Sequence, residues 1–336
     1  MRSMTIENFG ASQAGGEVGK RIVMITLTSN RGVRLELLNY GAAVKALRVP
    51  DRDGVLTEVM KGFDSFEEYE KDATCCGCTV GRVAGEVGFG QFALDSREYL
   101  LGINAPPHHR NGGAKSCLSK KVWNYEILEE GNAVCFTCQS HDGEGGYPGT
   151  LNVEITYILT NQNEVVIDYR ASADKSTILN LSTNLFVHLG EKNLDHFFVQ
   201  LSNTRFLPAD DDGLVTGEMV ATTGTSLECS ATPISLRNLS KADPRGLYFA
   251  QDLSPEARHK KFRHIARISN SHSGIVLNVA STYPALFLST FEDDEHLQLR
   301  CQHFPDAINK PAFPTIVLRR DQIYQHMTSI RFGVCE

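Results

Sequence analysis

Apolar and polar residues alternate along much of this chain in short runs. Leu151-Asn152-Val153-Glu154-Ile155 shows the pattern clearly, with the period of two expected of a strand that buries one face. Runs of this type cover residues 21–28, 33–38, 134–139, 151–159, 165–171, 274–279, 285–290 and 316–318. Turn signals separate them, including Pro50-Asp51-Arg52-Asp53-Gly54, Asp142-Gly143-Glu144-Gly145-Gly146 and Asn161-Gln162-Asn163. Helical stretches are few and short; residues 66–72, after Ser65, form one. The basic stretch 258–267 follows Ser254-Pro255-Glu256, a helix start, and reads as the solvated face of a helix. Strands do not alternate with helices, so a parallel sheet is not expected. The pattern predicts an all-β fold, sandwich or barrel. No linker or repeat divides it, and residues 1–336 read as one domain.

Composition narrows the function more than the fold. The 336 residues carry a net charge of −7, which disfavours nucleic-acid binding by bulk charge. No apolar run reaches the ~18 residues of a membrane span, and the first twenty residues lack a signal-type apolar stretch. The expectation is a cytoplasmic protein with no membrane partner, whose nine cysteines are free thiols. Cys135 and Cys138 have CxxC spacing but sit in a strand-like run with no second pair, so zinc is not expected. Asp210-Asp211-Asp212-Gly213 lacks the alternation of a calcium loop, and Ala221 stands where its last carboxylate belongs. GxSxG and phosphate-binding glycine patterns are absent. Gly85-Glu86-Val87-Gly88-Phe89-Gly90 reads as a bulge or hairpin. His108 and His109, adjacent on a strand, point to opposite faces. Residue types and spacing alone supply no catalytic constellation and call for no cofactor or metal.

An ordered set of motifs says more. Asn39-Tyr40-Gly41-Ala42 is followed by Val49-Pro50-Asp51, Gly62-Phe63-Asp64, Val80-Gly81-Arg82-Val83-Ala84 and Gly112-Gly113. Then come Asp142-Gly143-Glu144-Gly145, Gly146-Tyr147-Pro148-Gly149, Thr216-Gly217-Glu218, Phe304-Pro305-Asp306-Ala307-Ile308-Asn309 and Pro311-Ala312-Phe313-Pro314. In order and approximate spacing the set, spread over nearly the whole chain, resembles the aldose 1-epimerase (galactose mutarotase) family. The resemblance implies a mostly antiparallel β-sandwich of galactose-mutarotase type, a supersandwich, with a sugar pocket on one face. It also implies a reaction, the interconversion of α and β anomers of a free aldose. A Glu base takes the anomeric proton and a His acid protonates the ring oxygen, while a second His and polar groups hold the sugar.

Carried over residue by residue, that machinery fails to appear. The resemblance puts Asn184 at the acid, Arg300 at the base and Asn111 at the second His. It puts Gly85 and Glu86 where the family has Asn-Arg, Tyr248 where it has Asp, and Phe287 where it has Gln. Asn has no proton to exchange near neutral pH, and Arg cannot be deprotonated in a protein. His109, Gln302 and Asp306 remain as cleft candidates. His188 shares a strand face with Asn184 but lies ~13 Å further along it, and His303 should point away from Gln302. The expectation is a non-catalytic member of the family that binds an unidentified protein partner or small molecule, such as a carbohydrate. The alternatives are residual aldose 1-epimerase activity, or altered chemistry with Glu86 or Asp306 as the acid–base group. Because Glu86 and Arg300 exchange the family's charges, a salt bridge between them across the cleft is expected. If Arg300 instead faces an open cleft unpaired, an anionic ligand is expected, with Tyr248 and Phe287 as its apolar wall.

Overall fold

The computed structural model describes residues 3–13, 18–114, 116–128, 132–202, 205–251, 262–290 and 295–335. Strands dominate, and every pairing between them is antiparallel. A nine-stranded sheet runs in the order Asn124–Leu128, Ala133–Ser140, Leu151–Leu159, Glu164–Ala173, Tyr324–Val334, Ile275–Ser281, Arg263–Asn270, Phe197–Leu201, Ile234–Ser235. A six-stranded sheet runs Leu185–Val187, Leu297–Gln302, Ala285–Ser289, Leu247–Ala250, Arg205–Leu207, Val220–Ala221. A five-stranded sheet is built from the strands between Ser3 and Glu58. The alternating segments read from the sequence are strands, with ends displaced by a residue or two. The predicted helix is Phe66–Lys71, closed by a capping box between Ser65 and Glu68.

The two larger sheets meet through one shared core. Val153, Ile155, Tyr157 and Tyr169 of the nine-stranded sheet belong to the same buried cluster as Leu286, Leu288, Leu297 and Leu299 of the six-stranded sheet. Because side chains alternate along a strand, the intervening residues of the six-stranded sheet face the other way. Tyr248, Ala250, Ala285 and Phe287 join a second buried cluster with Val83, Val87 and Phe304. Arg300 shares this second face, as the cross-strand partner of Phe287. The site described below lies here.

One expectation is corrected. Of the basic stretch 258–267, the first four residues lie outside the described residues, and residues 263–267 run in the strand Arg263–Asn270, not a helix. A bulge between His264 and Ala266 shifts the strand's phase by one residue. Ile265 and Ile268 are consequently both buried at a spacing that imitates a helix turn.

The second face is held by Arg82, a side chain 2% exposed. Its Nε donates to Ser140 Oγ (3.0 Å), its Nη2 to the carbonyls of Ser140 (3.0 Å) and His141 (2.8 Å), and its Nη1 to Pro148 O (3.0 Å) and Thr177 Oγ1 (3.4 Å). Every donor is used, so the charge is buried without an unsatisfied N–H. Arg82→Met leaves three backbone carbonyls without this donor. It should lower the free energy of unfolding by about 3 kcal/mol or more, measured by urea denaturation. A loss below about 1 kcal/mol would show that the loops hold themselves.

Candidate functional site

Three neighbouring strands place Tyr248, Phe287 and Arg300 in a single cross-strand row. The Tyr248 and Phe287 rings lie 4.6 Å apart, and the Arg300 guanidinium sits 4.4 Å from the centre of the Phe287 ring. All three side chains are buried, Arg300 completely at 0% exposure. Gly246 makes room for them. It has φ +108°, and a Cβ there would stand 2.6 Å from Phe287 Cζ.

Loops close the row from above. Arg300 Nη1 donates to Asn111 Oδ1 (2.9 Å), which also accepts from the Gly85 N–H (3.0 Å). Asn111 has φ +53°, a conformation Asn tolerates better than most residues. Gly112 beside it packs so tightly on Gly81 that a Cβ would lie 1.8 Å from its carbonyl oxygen. Gly85, Glu86, Asn111, Tyr248, Phe287 and Arg300 therefore share one site. Asn184 belongs to the same sheet face but turns aside, donating to Thr74 O (2.7 Å) and accepting from Gln298 Nε2 (2.8 Å).

The expected Glu86–Arg300 salt bridge is not formed. The glycine-rich segment makes a two-residue strand, Glu86–Val87, paired with His109–Arg110, and this register sets Glu86 opposite Arg110. Glu86 pairs with Arg110 Nε (3.1 Å) and accepts from Tyr248 Oη (3.2 Å). Nor does Arg300 face an open cleft; it is sealed under the loops. Burial pushes its guanidinium below the usual value, with the nearby Arg110 adding in the same direction.

The three cleft candidates have structural partners. His109 is buried, with Nδ1 donating to Gly102 O (2.7 Å) and Nε2 accepting from Tyr147 Oη (2.7 Å). Burial holds its imidazole below the ordinary range. Asp306 accepts from Gly88 N (2.9 Å) and Asn309 Nδ2 (2.7 Å), and burial pushes its carboxyl up. Gln302 Nε2 donates to His303 O (3.2 Å). His303 points to the opposite face, as expected, and packs against Tyr283 and His326.

Open space lies further along the same sheet face. A cleft of about 540 Å³ is lined by Lys45, Arg48, Glu58, Lys61, His188 and His296 among others. The two imidazoles stand edge to face at 5.6 Å. His188 is buried and its pKa is pushed down to about 4, chiefly by desolvation and then by His296. This pairing escaped the sequence, because His188 and His296 meet only through the pairing of their two strands. Among the described residues, Glu191, His196 and His272 could offer one metal ion three ligand atoms within 4.8 Å of one another. His196 Nδ1 already meets Glu191 Oε2 at 2.9 Å. Sequence spacing did not reveal this group, whose third member comes from a separate turn.

Comparison with known proteins agrees with the fold. The sequence profile of the aldose 1-epimerase family matches residues 23–331. Bovine galactose mutarotase is 33% identical over 321 residues, covering 90% of this chain and 92% of that protein. Two solved structures superpose closely. The GalM/aldose epimerase homologue from C. elegans gives a TM-score of 0.86 at 23% identity, over 93% of this chain and 99% of that one. Galactose 1-epimerase from Lactobacillus acidophilus gives 0.84 at 22%, over the whole of both chains.

The buried His188 gives this site an acid sensitivity. The folded protein holds it neutral down to about pH 4, whereas in the unfolded chain it takes a proton near 6.5. Between those values the unfolded state binds more protons, so stability is full above pH 6.5 and falls as the pH drops towards 4. The loss amounts to at most about 3 kcal/mol. His188→Asn should flatten this limb in denaturation series run from pH 7 to pH 4. An unchanged slope would locate the acid sensitivity elsewhere.

Proposed function

Because this chain belongs to the aldose 1-epimerase family yet carries a buried arginine at the position of the family's base, we propose that it binds a ligand without catalysing mutarotation. The observation that carries this reading is Arg300, completely buried against Phe287 and beneath the Asn111 loop. A general base has to accept a proton near neutral pH and reach its substrate. Arg300 can do neither. At the acid position, the amide of Asn184 is committed to Thr74 and Gln298 on both sides.

The surroundings support the same reading. Tyr248 and Phe287, which the resemblance puts where the family has Asp and Gln, are both buried. Asp306 and Glu86, the alternative acid–base groups, are engaged by backbone, Asn309, Arg110 and Tyr248. Relatives named for galactose make a carbohydrate the first candidate ligand. In this reading the whole chain serves as one binding unit.

Polarimetry on the purified protein, with glucose or galactose, tests this. No acceleration of mutarotation above background is expected. A rate within tenfold of a competent family member would overturn the proposal. The double variant Asn184→His, Arg300→Glu should also fall short of full activity, because Gly85, Glu86, Tyr248 and Phe287 still misplace the substrate. Full recovery by those two changes would show that the remaining positions are irrelevant.

A further inference from the structure

The chain buries two arginines on the same side of the six-stranded sheet, and they differ in one respect. Arg82 donates from all three of its nitrogens to five acceptors. Arg300 donates from one nitrogen to one acceptor, Asn111 Oδ1. Its Nε and Nη2 are buried and have no partner among the described residues. These two nitrogens form one edge of the planar guanidinium, the edge that presents two parallel N–H groups to a carboxylate. No carboxylate among the described residues occupies it. Glu86, whose charge acts on Arg300, accepts from Tyr248 and pairs with Arg110.

The charges point the same way. Glu86, whose charge acts on Arg300, is already paired with Arg110, and Tyr248 is held neutral by burial. A buried charge with no counter-charge is strongly unfavourable, and two unsatisfied donors add to that. Planar, bidentate recognition of a carboxylate is what a guanidinium edge does best, and the rings of Phe287 and Tyr248 flank it on the apolar side.

We infer that the Nε–Nη2 edge of Arg300 is a binding site for a small carboxylate. This rests on the reading above, in which the position no longer serves as a base. The carboxylate belongs either to a simple acid or to a sugar acid, and the two share the group that Arg300 would hold. The site lies about 13 Å along the sheet face from the His188 end of the open cleft, taking ~3.3 Å per residue. The edge is wholly buried in the unliganded chain, so binding requires the covering loop of Asn111 to shift.

Full-length protein is titrated with acetate, D-galacturonate and neutral D-galactose at constant ionic strength, followed by calorimetry and thermal unfolding. Acetate or galacturonate should bind saturably and raise Tm by a few degrees, on the order of 2–4 °C. Galactose should not act through Arg300. Arg300→Met should abolish the carboxylate response. Should that variant fail to fold, Asn111→Asp provides the second test. It keeps the acceptor and the backbone conformation but gives Arg300 an internal counter-charge. Its unliganded Tm should rise, and its affinity for acetate should fall at least tenfold. No saturable carboxylate binding up to about 100 mM, or an Asn111→Asp response equal to wild type, would mean that water alone serves the edge and would overturn the site. Mutarotation is measured on the same preparation. Carboxylate binding by an active epimerase refutes the reading on which the site rests, whereas inactivity without binding refutes the site alone.

Discussion

A guanidinium shut away from water has to find acceptors within the protein, and Arg82 shows how much of this fold is arranged around that requirement. Its donors gather Ser140, His141, Pro148 and Thr177 from three separate segments. Immediately after it the chain continues to Ala84, whose N–H and carbonyl are both bonded to Asn180. The short strand Glu86–Val87 hangs from this point, and with it the position of Glu86. Removing the clamp would free the loops that cover the six-stranded sheet, leaving the sheet itself packed on its nine-stranded neighbour.

The covered face carries the residues on which the proposed reading rests. Cross-strand pairing puts an aromatic ring, a second aromatic ring and a guanidinium side by side. The ring faces give the cation a favourable neighbour that asks for no proton exchange. Burial closes the arrangement off from solvent.

Much of the fold was legible because one face of each long strand is buried in a single core. Alternation in residues 151–159 or 165–171 has no competing explanation. The phase of the six-stranded sheet was less legible, since its strands are apolar on both faces; Leu286, Phe287 and Leu288 are all buried. The strand Arg263–Asn270 was misread because Ser254-Pro255-Glu256 reads as a helix start that the basic run continues, and the bulge hides the strand's alternation. In the site, Asn111, Arg300 and four of the other positions named from the motifs meet in one place. The motifs could not tell which partner Glu86 would take, because that depends on a two-residue register with His109–Arg110. Nor could they foresee that Arg300 would be sealed in, or that His188 would come to face His296.

The register that pairs Glu86 with Arg110 also governs how the chain can change over generations. Substituting Glu86 alone leaves Arg110 and Arg300 as neighbouring cations with no carboxylate between them. Substituting Arg300 alone by an acid sets a second carboxylate, wholly buried, into the field of Glu86. Either step exposes the fold to an uncompensated buried charge worth several kcal/mol, against a total stability of roughly 5–15 kcal/mol. Single changes at position 86 or 300 are thus the costly ones, so the two positions are electrostatically coupled and their substitutions are not additive.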